Sequence, residues 1–219
     1  MSFSGALRRN VLLLSVCQAL MLSGSSLIVA TSALTGLSLA SNSLWATVPL
    51  SCMYVGTLLT TFPASLMMKR IGRRAGFMIG PLAGLVGAAV AIHAITERDF
   101  WLFCAGSFLI GVLNGVGHYY RFAAADISGK VFRSRAISWV LAGGVVAAFV
   151  GPNLAAFNRD LIAGVPFAGS YASLLVVYSL SILLASFLRI SPPTEAERHG
   201  SQRPLKAIIR QPVFFVPVA

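Results

Sequence analysis

The sequence has little charge. Asp, Glu, Lys and Arg together make up 11% of the 219 residues, whereas a typical soluble domain has about 25%. Apolar residues reach 57%, above the roughly 45–50% of soluble domains. Because so few polar groups cannot form a solvated surface, most of the outer surface is expected to face lipid. The composition predicts a membrane protein and excludes a soluble domain.

Among the charged residues, the acidic ones are the rarer type. Six acidic residues stand against 17 Lys and Arg, which gives a net charge of +11. In a soluble protein this balance would suggest a nucleic-acid partner, but here the cations form short clusters between long apolar runs, as in membrane proteins. No nucleic acid is therefore expected as a partner. All six acidic residues lie between the runs or at their ends, which leaves no carboxylate pair for an intramembrane aspartyl protease.

Cysteine is also rare and scattered. Cys17, Cys52 and Cys104 each lie inside an apolar run and show no CxxC spacing. Isolated thiols of this kind usually act as small apolar packing residues. The sequence predicts no disulfide, metal site or cofactor.

Long apolar runs dominate the rest of the chain. A helix needs about 20 predominantly apolar residues to cross a bilayer, and lipid requires closed backbone hydrogen bonding, so runs of this length predict helices. The first run is too long for the apolar part of a signal peptide and is interpreted as an uncleaved span. Six runs qualify: 11–37, 44–68, 75–95, 101–125, 136–157 and 171–188.

The cations between the runs predict the orientation. Alternate connections and the chain ends place 14 Lys and Arg on one side of the membrane and two, Arg98 and Arg159, on the other, while Arg121 lies within a run. Cytoplasmic loops carry the excess of Lys and Arg. The N-terminus is therefore predicted to be cytoplasmic, in a plasma membrane that we expect to be a bacterial inner membrane.

The composition changes after residue 188. Residues 189–210 are polar, basic and contain prolines, and residues 211–219 begin another apolar run. We interpret 1–188 as a six-helix transmembrane bundle, 189–210 as a cytoplasmic linker and 211–219 as the start of a seventh helix. The chain is thus expected to be the first half of a longer protein.

The densest cluster of cations lies in SLMMKRIGRR (65–74), between the second and third runs. It resembles the loop signature Gly-x-Leu-Ala-Asp-Arg-x-Gly-Arg-Lys/Arg of the major facilitator superfamily of transporters. Ser65 stands at the first Gly and Lys69 at the Asp, and a glycine at 72 permits a tight turn. The remaining signature positions match: Arg70, Gly72, Arg73 and Arg74. The resemblance implies that Lys69 and these four residues form a cytoplasmic gating loop.

Small residues in the fifth run resemble a second motif of that superfamily, which contains small residues at fixed spacing and a Gly-Pro pair and is frequent in exporters. Gly151 and Pro152 supply that pair. Independently of any family, Gly143, Ala147, Gly151 and Ala155 repeat every four residues. Such a stripe lets another helix approach closely, and Pro152 permits a kink.

The resemblance covers the whole chain as an N-terminal half. It implies an all-α membrane fold in which six transmembrane helices form two inverted three-helix repeats, one half of the superfamily fold. It also implies secondary active transport, in which two six-helix bundles rock about a substrate site at their interface. The expected partners are a small-molecule substrate, a coupling ion that could be a proton, the lipid bilayer and the missing C-terminal half. The superfamily's arginine in the fourth helix is replaced by Gly111, so coupling through that arginine is not carried over.

Polar residues inside the fourth run are the leading functional candidates. On a helix, Asn114, His118 and Arg121 fall within about 60° of one another. A charged group near the centre of a span costs at least about 2.5–3.5 kcal/mol, so this face is expected to line a translocation path. Alternatively, Arg121 reaches the interface or pairs with Asp126, and the other two simply join helices. Further candidates for the path are Gln18, Tyr54 and Asn153.

Two other functions stay open from the sequence. Six helices suit an intramembrane enzyme, but no span contains Gly-x-Ser-x-Gly. A single bundle could also serve as a non-transporting membrane partner or sensor. A transporter is the preferred interpretation and an enzyme is not expected.

Overall fold

A computed structural model describes residues 5–190, and this part of the chain is almost entirely helical. The helices are α1 Gly5–Leu39, α2 Val48–Ile71, α3 Arg73–Glu97, α4 Phe100–Gly117, α5 Tyr120–Ile127, α6 Gly129–Phe157 and α7 Ala168–Ser186, with a 3₁₀ turn at Ser43–Trp45. Six segments of the described residues are long and apolar enough to cross a membrane. The predicted all-α fold with six spans is confirmed. The predicted linker beyond residue 190 and the predicted seventh helix lie outside the described residues.

Short connections with local caps fold each span back beside the previous one. The side chain of Asn42 accepts a hydrogen bond from the amide of Leu44 at 3.0 Å, and Asp99 accepts one from the amide of Leu102 at 3.0 Å. Such side-chain oxygens satisfy amides that a helix start leaves unpaired. Gly72 joins α2 to α3 with a φ of 92°, a conformation that favours glycine. Successive spans therefore run in opposite directions.

The core of the bundle is built around large aromatic residues that are fully buried. Tyr120 stacks on Phe77 with ring centroids 4.6 Å apart, and Tyr171 meets Phe103 at 5.4 Å. The first pair joins α3 to the fourth span and the second joins the fourth span to α7, and contacts of this kind stabilise beyond the area they bury. The core lies between α1, α3, the fourth span and α7.

The spans α2 and α6 lie at the outside of this core. Both expose large apolar side chains, including Leu58 and Phe62 on α2 and Val145 and Phe149 on α6. In a membrane these apolar faces do not contact water, so they are suited to contact with lipid or with another helix bundle. The helices that carry them pack inward against α4 and α1, respectively.

The two ends of the bundle differ in charge. At one end, Arg73 forms an ion pair with Asp126, Arg74 donates to the carbonyl of Ser186 at 2.7 Å, and Asn10 donates to the carbonyl of Arg189 at 2.7 Å. We call this end, which carries the α2–α3 connection, the basic end. At the opposite end the ring of Trp45 packs on Trp101 at 5.3 Å. Aromatic residues are frequent at membrane interfaces.

Candidate functional site

The fourth span is interrupted where its polar residues lie. The sequence predicts one helix over 101–125, but α4 ends at Gly117 and α5 begins at Tyr120. The amide of Tyr119 donates to the carbonyl of Val116 at 3.1 Å, a bond one residue shorter than an α-helical one. Gly115 and Gly117 favour this break because glycine is a weak helix former. Irregular backbone at membrane depth is tolerated where it is buried in protein or lines a cavity.

Asn114 lies one turn before the break and faces α1. It is 6% exposed, and its Oδ1 accepts a hydrogen bond from the hydroxyl of Ser25 at 2.7 Å. The same hydroxyl lies 3.1 Å from the carbonyl of Met21. Asn114 therefore joins the fourth span to α1, as one of the alternatives from the sequence expected.

His118 and Arg121 lie at the break itself and are brought together. Both are half-buried, and they are close enough to interact electrostatically. The guanidinium carbon of Arg121 lies 5.0 Å from the centre of the Phe122 ring, and its Nε is buried without a hydrogen-bonding partner among the described residues. Asp126 pairs with Arg73 instead of Arg121. A cation with an unused donor beside an imidazole is a group that can bind a polar ligand.

Tyr119, between the two helices, is a residue that the sequence did not single out. Its hydroxyl donates to the backbone carbonyl of Thr61 in α2 at 2.7 Å. This bond fixes the break against α2, just as Ser25 fixes Asn114 against α1. A tyrosine within an apolar run shows no pattern that would reveal such a partner.

The three remaining path candidates lie apart from this group. Gln18 is 4% exposed in α1, and its Oε1 has no hydrogen-bonding partner among the described residues. Tyr54 is 56% exposed on α2. Asn153 is exposed on α6, where its amide donates to the carbonyl of Phe149 in the same helix at 2.7 Å. No hydrogen bond or ion pair in the described part of the chain links them to Asn114, His118 or Arg121.

The predicted gating loop lies at the basic end. Lys69 and Arg70 occupy the last turn of α2, and Gly72 makes the turn into α3. Arg73 pairs with Asp126 at the end of α5, while Arg74 donates to the end of α7. The loop thus holds the basic ends of three spans together.

The small-residue stripe of α6 faces α1. A Cβ at Gly143 would lie 2.9 Å from the carbonyl oxygen of Ser15, and one at Gly151 would lie 2.6 Å from that of Ser23. Ala147 is buried at the same contact, whereas Pro152 is exposed and α6 continues through it. The stripe brings the two backbones close together.

Comparison with known proteins fits this architecture. The sequence model of the Major Facilitator Superfamily matches residues 11–219. The chain belongs to the major facilitator superfamily. The chain is also 36% identical over 222 residues to the riboflavin transporter RfnT of Brucella anthropi. The alignment covers 100% of this chain and 56% of the relative. This chain spans about half the length of that curated relative. The six spans and the family together identify a multi-pass membrane protein of a transporter family.

Proposed function

We propose that this chain is the N-terminal half of a secondary active transporter that carries riboflavin across the plasma membrane by alternating access. The observation that supports riboflavin as the substrate is the 36% identity to a riboflavin transporter along the entire chain. The polar group at the break in the fourth span supports a binding function. A second six-helix bundle would supply the other wall of the site, and rocking of the two halves would expose it to each side in turn.

The chemistry of the break suits a neutral, hydroxyl-rich aromatic solute. Small-molecule sites are mostly apolar with a few polar groups that fix orientation. His118 and Arg121 offer ring nitrogen and guanidinium groups for ribityl hydroxyls or ring carbonyls. Tyr119 and Phe122, whose ring centroids are 6.0 Å apart, offer aromatic surface beside them. Asn114, whose amide oxygen already accepts from Ser25, positions the helix before the break.

The proposed orientation places the basic end in the cytoplasm, in a bacterial inner membrane. Its support is the distribution of Lys and Arg among the connections. In a protein whose own cysteines are replaced by serine, Arg98→Cys should react with an impermeant maleimide in intact cells. Arg70→Cys in the same background should react after the cells are broken. The reverse pattern would invert the topology.

Uptake of labelled riboflavin tests the substrate. The intact protein is expressed in cells that lack their own riboflavin uptake, and the initial rate is measured with and without excess unlabelled riboflavin. We expect saturable uptake well above that of cells with an empty vector. Uptake equal to the empty vector, with the protein present in the membrane, would contradict riboflavin as the substrate.

Substitutions at the break test the site. A hydrogen bond to a charged group contributes about 1.5–3 kcal/mol and one between neutral groups about 0.5–1.5 kcal/mol, and about 1.4 kcal/mol is a tenfold change in affinity. At low riboflavin concentration, Arg121→Ala should therefore reduce the initial rate at least about tenfold, and His118→Ala should reduce it several-fold. His93→Ala is the matched control, since His93 is exposed on α3 and should leave uptake unchanged. Normal uptake by the first two variants at wild-type membrane levels would remove His118 and Arg121 from the path. Imposing a proton gradient in vesicles then shows whether protons drive uptake.

A further inference from the structure

The helices α2 and α4 pack with their backbones in unusually close contact. Both begin at the end opposite the basic end, so they run in the same direction. A Cβ on Gly56 of α2 would collide with the carbonyl oxygen of Phe108 in α4, and one on Gly111 would collide with the carbonyl of Met53. Further along, a Cβ on Gly115 would lie 2.9 Å from the carbonyl of Thr57. Glycines from both helices therefore set a single register along this contact.

That register places two cysteines opposite each other. Cys52 lies four residues before Gly56, and Cys104 lies four residues before Phe108, which is one helical turn on each helix. Cys52 and Cys104 are close enough to interact electrostatically. Each is the fifth residue of its helix, so the pair lies near the end opposite the basic end. Cys52 is half-buried and Cys104 is 5% exposed.

We propose that Cys52 and Cys104 form a dithiol site that is oxidised to a disulfide joining α2 to α4. The pair carries no signal in the sequence, because 51 residues that include all of α3 separate the two thiols. A disulfide requires Cα atoms about 4.4–6.8 Å apart, and helices whose backbones touch at Gly56 and Phe108, one turn away, hold facing residues near that separation. The proposal does not depend on the transported substrate.

The oxidant is a disulfide, either a small molecule or a protein, on the side of the membrane that the pair approaches. The more accessible Cys52, as its thiolate, attacks one sulfur of the oxidant, forms a mixed disulfide and releases one thiolate. The Cys104 thiolate then attacks the Cys52 sulfur, forms the Cys52–Cys104 bond and releases the second thiolate. The two cysteine protons end on the two released thiols, and the oxidant takes up the two electrons. In the proposed orientation this side is the oxidising periplasm.

Dipyridyl disulfide, a small apolar disulfide whose thiopyridone product absorbs light, tests the pair in the intact protein. Reduced protein in detergent is treated with this reagent, unfolded in denaturant so that buried thiols become accessible, alkylated with N-ethylmaleimide, digested without reductant and analysed by mass spectrometry. We expect a peptide pair linked through Cys52 and Cys104 that dithiothreitol separates. Two of the three cysteines in this chain should then escape alkylation, with two thiopyridones released per link.

Three variants sharpen the result. Cys104→Ser should trap thiopyridine on Cys52, while Cys17→Ser should still form the link, because Cys17 is buried elsewhere and faces the carbonyl of Ser181. Gly56→Ala keeps both thiols but pushes the helices apart, and should slow linkage several-fold. If Cys52 and Cys104 in the wild-type protein stay alkylatable, or if Cys52 carries thiopyridine that Cys104 never displaces, the proposal is overturned.

Discussion

Two interhelical contacts in this bundle are built from small residues, but they are built in different ways. At the contact of α6 with α1, α6 supplies the whole stripe, and its glycines approach the carbonyls of Ser15 and Ser23. At the contact of α2 with α4, α2 supplies Gly56 and α4 supplies Gly111 and Gly115, and each approaches a carbonyl of the other helix. The first contact is regular along one helix, and the second is shared between two.

The difference extends to what lies beside each contact. The α6 stripe passes the exposed residues Pro152 and Asn153. The α2–α4 contact leads from the cysteine pair to the break in the fourth span, where Tyr119 bonds to the carbonyl of Thr61. Because close backbone contact fixes the position of neighbouring side chains, the α2–α4 contact is the one that positions the cysteine pair and the polar residues at the break. The contact of α6 with α1 mainly packs the two helices together.

The largest effect is expected from Gly111→Ala. The added methyl would collide with the carbonyl oxygen of Met53 and would lie 3.0 Å from the amide of Thr57. Both are backbone atoms, which cannot move aside without shifting a helix. Overpacking usually costs about 1–3 kcal/mol and occasionally more, so we expect the free energy of unfolding to fall by about 3 kcal/mol. Thermal unfolding in detergent micelles and the monodisperse fraction in size-exclusion chromatography measure it.

Gly144→Ala is the control for that substitution. The methyl would meet a flexible side-chain carbon, Cδ1 of Leu22, at 3.3 Å, and alanine favours the helix by up to about 1 kcal/mol over glycine. Stability should stay equal or rise. If Gly111→Ala unfolds at the same temperature as Gly144→Ala, the α2–α4 contact is looser than described.

A smaller effect is expected from Gly151→Ala in the α6 stripe. Its methyl would lie 2.6 Å from the carbonyl oxygen of Ser23 and 2.6 Å from Cβ of Ser26. The backbone of α1 fixes both atoms, but α6 lies at the outside of the bundle and can shift outward, so part of the clash can relax. We expect the free energy of unfolding to fall by about 1–2 kcal/mol, within the usual range of overpacking. A larger decrease than for Gly111→Ala in the same unfolding measurement would reverse the comparison.

Structural features that depend on a single segment of the chain could be predicted from the sequence. Six apolar runs indicated the spans, and the four-residue repeat from Gly143 to Ala155 marked a helix face suited to close approach. A stripe confined to one helix repeats at a fixed spacing, so it can be recognised without knowing its partner. The loop at Gly72 was marked in the same way, by the local need for a turn.

Features that depend on two segments could not be predicted. Gly56 stands isolated in α2, and its role follows from its position opposite Phe108. The same holds for Cys52 and Cys104, whose spacing in sequence carries no signal. Helical projection grouped Asn114 with His118 and Arg121, but the helix breaks after Gly117 and Asn114, before the break, bonds to Ser25. Asp126 pairs with Arg73, 53 residues away, in preference to nearby Arg121.

The smallest effect is expected from Tyr119→Phe, which removes the hydroxyl that joins the break to α2. A typical hydrogen bond contributes about 0.5–1.5 kcal/mol to stability, so the free energy of unfolding should fall by about 1 kcal/mol. Tyr54→Phe is the matched control, since that hydroxyl lies on the same helix pair but on a side chain that is 56% exposed. Equal unfolding temperatures for the two variants would mean that the Tyr119 bond does not hold the break in place. A drop confined to Tyr119→Phe would show that the α2–α4 contact extends to the polar residues at His118 and Arg121.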